Sequence, residues 1–310
     1  MAPRTGETLV DQRRASVSEF YTPEAPVEGF FSKIRQINRF VLISLWTSAM
    51  FMVWVLVWIG IFYNQSWRIR WRNAVFGVWA KRFLRIIGAR VTVQGSPPES
   101  PFFMVSNHLS YLDIPVLASI INATFVAKRE VKDWTVIGML TTAMETIFID
   151  RDDCFDIPRV NDEIKHRLGF GDAIILFPEA TSTDGERVHP FNSPLLEVPV
   201  ETSRPVEYAH LQYSTPTGVV AAKDVLCFWG DMQFGSHFIK LLALPEFSVT
   251  VTFGSGSLTG NCRKLLARRL TSAVRNLHMT HPQNRWIPSQ EYDRSGRKPE
   301  QRVTPATEKP

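Results

Sequence analysis

Three cysteines in 310 residues are too few for a disulfide framework, and Cys154, Cys227 and Cys262 have no metal-type spacing. That fits a reducing compartment better than a secreted fold. No Ser sits in a nucleophile-elbow setting and no Cys lies beside a His, so the sequence offers no obvious covalent nucleophile. No second His stands near His108 in the sequence, so a metal set there is hard to build. Internal repeats are absent. Charge is missing altogether from Phe40 to Tyr63, a run of 24 residues holding Trp46, Trp54 and Trp58.

As a helix that run would measure about 36 Å, enough to cross a hydrocarbon core of about 30 Å. It is too long and too far from the start to be a simple signal peptide, and it lacks a small-residue cleavage site. The next segment, Trp67 to Ile87, repeats Trp67, Trp71, Val75, Trp79 and Phe83 every four residues, flanked by Arg68, Arg72, Lys81, Arg82 and Arg85. A basic amphipathic helix of this kind suits an anionic bilayer surface, or packs on a core with a solvated basic face. The net charge of +5 and pI near 9.2 fit anionic partners. More basic residues follow the apolar run than precede it, so if it spans, everything after it is expected on the cytoplasmic side. A hairpin dipping into one leaflet is the other possibility.

The remainder reads as a flexible N-terminus over 1–29, membrane-anchoring helices over 30–88, an α/β domain over 89–285 and a disordered tail over 286–310. Strands are expected at 90–94, 102–106, 124–127, 146–149, 173–177, 206–213 and 248–253. Helices are expected at 111–121, 131–143, 156–168, 193–202, 234–242 and 262–276. A content of 45% hydrophobic and 12% aromatic residues is enough for a sizeable core. The alternation argues for a mostly parallel sheet flanked by helices, with ligands gathering at the carboxyl ends of its strands.

Chemistry concentrates at three such ends. Asn107-His108-Leu109-Ser110-Tyr111-Leu112-Asp113 follows one apolar run, and of the seven His only His108 has an Asp five places on. A carboxylate beside an imidazole fixes its tautomer and stabilises the imidazolium, which makes a general base near neutral pH. Five residues of regular helix would turn the two side chains well apart. His108 is therefore expected in a strand-to-helix turn, with the helix beginning near Ser110 and Asp113 reaching back as in a capping box. Phe148-Ile149-Asp150-Arg151 and Phe177-Pro178-Glu179-Ala180-Thr181-Ser182 end two further runs.

These motifs, in this order, resemble the glycerolipid acyltransferases typified by lysophosphatidic acid acyltransferase. The likeness covers about residues 90 to 255 and includes Ala127-Lys128 and Arg204-Pro205-Val206. It implies that His108 takes the proton from an acceptor hydroxyl, which attacks the thioester of acyl-CoA or acyl carrier protein, and that Asp113 orients His108. It further implies that Arg151 binds the acceptor's anionic head and that Glu179, with the backbone at Ala180 and Thr181, shapes the acceptor site. The chemistry needs a base but neither a metal nor a cofactor, and backbone N–H groups near the helix start after His108 are the candidate oxyanion donors. The expected partners are membrane lipids, a lysolipid acceptor and, as one form of donor, acyl carrier protein; nucleic acid is not among them.

Two departures stand out. The family's third motif usually reads Phe-Pro-Glu-Gly-Thr-Arg; here Ala180 replaces Gly and Ser182 replaces Arg. Ala for Gly costs little unless the backbone needs positive φ. Losing Arg removes a bidentate anion contact, for which Lys128 or Arg187 would have to substitute. The simplest expected acceptor is 1-acyl-sn-glycerol-3-phosphate, with zwitterionic lyso-ornithine lipid the alternative. More distant readings are a metal-dependent hydrolase using His108, Asp113, Asp150 and Glu179, and a non-enzymatic membrane adaptor.

Overall fold

The computed structural model describes residues 29–61, 63–216 and 219–280. Apart from Gly29, the flexible N-terminus expected over 1–29 lies outside the described residues, as does the tail expected over 286–310. Seven strands, β1 (Ala89–Gln94), β2 (Phe103–Ser106), β3 (Thr124–Lys128), β4 (Ile147–Ile149), β5 (Ile174–Leu176), β6 (Val206–Ser214) and β7 (Phe247–Phe253), form one sheet in the order β1-β7-β6-β2-β5-β3-β4. Each lies within one residue of its expected bounds. All neighbours run parallel except β6 and β7, which pair antiparallel. Every residue of β2 and β5 is buried, as the continuous apolar runs of central parallel strands require.

The helices are α1 (Phe30–Ile61), α2 (Gln65–Ile87), α3 (Asp113–Ala118), α4 (Thr135–Ala143), α5 (Asp156–Gly169), α6 (Glu197–Glu201), α7 (Ala222–Val225), α8 (Phe234–Ala243) and α9 (Arg263–Thr280). One face of the sheet is covered by α2, α3, α7 and α8, the other by α5, α6 and α9. Differences from expectation have local causes. Trp134 takes an extended backbone and splits the helix expected over 131–143 into a 3-10 turn, Arg129–Asp133, and α4. Pro199 does not abolish the helix expected over 193–202. A 3-10 turn at Pro194–Leu196 leads into α6, where Pro199 falls in the first turn and its missing N–H is not needed. The four-residue α7 is too short for any periodic signal.

α1 and α2 form an antiparallel hairpin. The Trp71 indole N–H donates to the Trp54 carbonyl at 3.4 Å, that of Trp46 to the Trp79 carbonyl at 3.3 Å, and that of Trp79 to Thr47 Oγ1 at 3.0 Å. The tryptophan stripe of α2 is therefore in large part its seam with α1. The buried face of α2 is rotated toward Ile69, Arg72, Val75, Phe83, Leu84 and Ile87. The other end of α1 is tied to the domain, because Arg35, Gln36 and Arg39 donate to the carbonyls of Ile239, Leu242, Ala243, Leu244 and Pro245 at the end of α8. Gly88 ends α2 at φ 82, and a Cβ there would meet Arg39 Nη2 and the Pro245 carbonyl, each at 2.6 Å. Only glycine admits both the left-handed turn and that close approach. Phe30–Gly60 of α1 is long and apolar enough to cross a membrane, with Phe30, Phe31, Ile37, Phe40, Leu45 and Leu56 all exposed.

Candidate active site

The site is assembled where β2 ends. Asn107 continues that strand with its side chain: Oδ1 accepts from Leu211 N at 2.8 Å and Nδ2 donates to Leu211 O at 3.0 Å. A carboxamide carries one donor and one acceptor, so it replaces a backbone pair with β6 just as the main chain turns away. His108 then lies in the turn, its Nδ1 bonded to Asp113 Oδ2 at 2.7 Å. Since the carboxylate accepts, Nδ1 carries the proton, and the neutral ring keeps its lone pair on Nε2. The ring is 20% exposed and stacks on Phe177 with centroids 4.3 Å apart, which fixes its plane.

Asp113 does more than orient the ring. The same Oδ2 accepts the backbone N–H of Leu109 at 2.7 Å and of Ser110 at 3.0 Å, while Oδ1 accepts the Tyr213 hydroxyl at 2.8 Å. Among the described residues four donors thus compensate the burial of a carboxylate with no exposed surface. The reach back expected of Asp113 is present, but the other half of the capping box is not. Ser110 Oγ is buried without a hydrogen bond to any of the described residues, and the helix begins at Asp113 rather than near Ser110. The backbone donors expected for an oxyanion also need correction. The N–H groups of Leu109 and Ser110 face Asp113, and that of His108 donates to Glu179 Oε2 at 2.8 Å.

Glu179, following β5, is buried, with its second oxygen accepting His189 N–H at 2.7 Å. It braces the His108 peptide from below, and Thr183 completes the clamp by donating its N–H to the His108 carbonyl at 3.0 Å. Burial raises the Glu179 carboxyl to about 7, the nearby Asp113 charge adding to the shift while the two backbone donors resist it. A folded value above the unfolded one favours the fold below about pH 4.5, and this advantage disappears as pH rises through about 7. Glu179→Gln cannot titrate. Its melting temperature relative to wild type should therefore rise between pH 5 and pH 8, by the equivalent of about 1–3 kcal/mol. A gap that stays constant across that range would show that Glu179 does not titrate there.

Arg151, just past β4 and exposed, donates to the Ala180 carbonyl, which joins the second and third motifs. It does not pair with Asp152, Asp153 or Asp156; Asp156 is bonded to Arg159. Ala180 has φ 64. The backbone here thus needs the conformation in which Ala is unfavourable, and the departure from glycine costs about 1 kcal/mol. Ala180→Gly is expected to raise stability by roughly that amount in thermal melts, with activity retained. No gain would mean that the turn relaxes around the methyl group.

Ser182 turns inward, and its hydroxyl donates to the Phe228 carbonyl. The Phe228 N–H in turn donates to the Leu109 carbonyl at 2.8 Å, so the segment before α8 is clamped between the first and third motifs. Thr181 lies exposed on the rim. Lys128 is half exposed and paired with Glu130 at 2.6 Å, and among the described residues no contact joins it to His108 or Glu179. The hydrolase reading asks Asp150 to converge with His108, but its carboxylate instead pairs with Arg129 and accepts the Asp152 N–H. Among the described residues no three His, Cys, Asp or Glu side chains are placed to hold a metal ion.

The fold thus places a hydrogen-bonded His–Asp pair in the turn after a central strand of a largely parallel sheet. Comparison with known proteins supplies the family. The family model described as Acyltransferase matches residues 90–207. The chain is 31% identical over 231 residues to the lyso-ornithine lipid O-acyltransferase of Brucella abortus (strain 2308), covering 70% of this chain and 86% of that one. It is 26% identical over 184 residues to the 1-acyl-sn-glycerol-3-phosphate acyltransferase of Neisseria gonorrhoeae, covering 59% and 71%. In fold it is similar to the crystal structure of the 1-acyl-sn-glycerophosphate (LPA) acyltransferase, PlsC, from Thermotoga maritima, with a TM-score of 0.54 and 19% identity over 79% of this chain and 96% of that one. The chain belongs to the lysolipid acyltransferase family and is an acyltransferase.

Proposed function

We propose that the protein moves a fatty acyl group from a thioester, acyl-CoA or acyl carrier protein, to the hydroxyl of a lysolipid at a membrane surface. The observation that carries the chemistry is the His108 ring, held through Nδ1 by Asp113, with no hydrogen bond to Nε2 from the described residues. Nε2 takes the proton of the acceptor hydroxyl as its oxygen attacks the thioester carbonyl carbon. The tetrahedral intermediate collapses, the carbon–sulfur bond breaks, and the imidazolium returns the proton to the departing thiolate. Asp113 stabilises the imidazolium throughout. With the N–H groups of residues 108–110 already engaged, the oxyanion is met by donors outside that turn.

For the acceptor, we favour lyso-ornithine lipid over 1-acyl-sn-glycerol-3-phosphate. Ser182 stands where Arg is usual and spends its hydroxyl on Phe228, while Lys128 is neutralised by Glu130. Arg151 is then the main cation left for an anionic head, which suits a zwitterion better than a phosphomonoester. The identity to the Brucella enzyme points the same way. Arg151 itself, placed against the third motif, keeps lysophosphatidate as the second reading.

We place α1 along one leaflet rather than across the bilayer. Its first turns are held to the end of α8 and its later part to α2, so both stretches lie against the same domain. The exposed apolar side chains of α1 supply the lipid contact. The catalytic domain is assigned to the cytoplasmic face, where acyl-CoA and acyl carrier protein are available.

The test offers labelled acyl-CoA and acyl carrier protein to the purified chain, with lysolipids presented in vesicles. Lyso-ornithine lipid should be preferred by about tenfold or more in kcat/KM. Preference for lysophosphatidate would reverse the acceptor assignment, and no turnover on any lysolipid would overturn the proposed transfer.

A further inference from the structure

Among the groups not used by the chemistry above, the one most closely joined to it is a phenol from a distant strand. β6 outruns its partner β2: Ser106 pairs with Ala209, and β6 continues five residues further, to Ser214. Asn107 fixes Leu211, and two residues on, along the same face, Tyr213 meets the buried carboxylate. Tyr213 is 2% exposed, with its ring lodged against Phe247. Of the four donors on Asp113, three belong to the turn itself: His108 Nδ1 and the N–H groups of Leu109 and Ser110. Among the described residues Tyr213 is the fourth, and the only one on Oδ1.

We infer that Tyr213 is a positioning residue that tunes the basicity of His108 by sharing the charge of Asp113. The inference rests on the reading of His108 as the base. Phenol and imidazole compete for one carboxylate. While the phenol holds Oδ1, less negative charge is available to stabilise the imidazolium, and Nε2 is unprotonated over more of the neutral range. Without it, Asp113 would grip the charged ring harder, and protonated His108 would persist to higher pH. The hydroxyl also prevents the carboxylate from rotating out of the plane that faces the ring. Burial and the Asp113 charge keep Tyr213 itself un-ionised, so it acts as a fixed donor. The other titratable groups against it are Cys227 and Tyr111, both held neutral by burial, and Glu179 is the other carboxylate near Asp113.

The experiment compares the full chain with Tyr213→Phe, with 3-fluorotyrosine introduced at position 213, and with His108→Ala, reading kcat and KM against pH. On the acid side of its limb, Tyr213→Phe should lower kcat/KM roughly 3- to 10-fold, with both KM values little changed. The acid limb of kcat/KM should move up by about half to one pH unit. Fluorination makes the phenol a stronger donor at almost unchanged volume, so it should move the limb the opposite way. The His108 ring protons of the folded proteins, followed by NMR titration, should shift in parallel, and the 3-fluorotyrosine protein, whose ring is almost unchanged in volume, gives this reading even if Tyr213→Phe is poorly folded. A loss of activity that merely follows loss of folded protein, with the limb and the titration unmoved, would overturn the inference, as would unchanged kinetics. Full activity in His108→Ala would instead sink the reading of the base, a separate failure.

Discussion

His108→Ala should lower kcat/KM by about 10²- to 10⁴-fold, the range for removing a positioned general base. The loss should appear in kcat, with the KM for the lysolipid within about twofold, because Nε2 acts only as the acceptor proton leaves. Asp113→Asn makes a sharper companion. With its amide oxygen in the place of Oδ2, the Asn can still accept from His108 Nδ1, Leu109 N and Ser110 N, and its NH₂ can face the rotatable Tyr213 hydroxyl. Geometry survives, but the charge that stabilises the imidazolium is gone, and kcat should fall about 10²-fold without loss of the fold. Asp113→Ala strands two buried N–H groups and should destabilise as well, by about 2–4 kcal/mol. The double variant His108→Ala/Asp113→Asn should be no worse than His108→Ala alone, since the two residues act as one unit. Losses that multiply in the double variant would mean that Asp113 works independently of the ring.

Much of this site is legible in the sequence because its parts are short-range. His108 and Asp113 lie within one turn, and each motif follows a strand whose unbroken apolar run announces a central position in a parallel sheet. What the sequence hides is what arrives from far away. Tyr213 is 100 residues from Asp113, on a strand that looks like any other β-rich run, and nothing in its spacing marks it as a partner. Thr183 follows directly on the third motif, and nothing in its spacing marks it, yet it holds the His108 carbonyl. Asn107 was in plain view beside His108, but its role as a surrogate strand residue needs β6 in register. The Ala180 departure was readable as harmless or strained depending on one angle, and the left-handed φ settles it. The basic flank of α2 shows the converse error. Read along the helix, Arg68 and Arg72 suit a bilayer surface, but both turn inward to carboxylates far along the chain.

Arg72→Ala should therefore be among the most destabilising single changes in the protein, by about 3–5 kcal/mol. Arg72 is 3% exposed, and its Nη2 reaches both oxygens of a fully buried Asp172 at 2.9 and 2.8 Å. Asp172 also accepts from Thr124 Oγ1 at 2.7 Å and from Ala173 N at 3.0 Å, which ties the end of α2 nearest the α1 turn to β3 and to the start of β5. Nη1 approaches Glu145, a carboxylate held by Arg68 and Arg167 as well. Burial works to raise the Glu145 carboxyl, yet the three guanidinium groups outweigh it and the net shift is downward. Truncating Arg72 leaves Asp172 without its main partner in a place water does not reach, and that desolvation dominates the loss. Arg72→Lys should recover only part, since one ammonium nitrogen at Asp172 cannot also make the Nη1 contact to Glu145 and the Nε contact to Asn73. The double change Arg72→Met/Asp172→Leu should recover most of it, because removing both charges removes the desolvation problem along with the attraction. Denaturant unfolding of the four proteins at one pH decides the matter. A single-variant cost below about 1 kcal/mol would mean that water relaxes into the site. A double variant as unstable as Arg72→Ala would mean that the pair contributes through geometry rather than charge, anchoring α2, and through it α1, against the sheet edge.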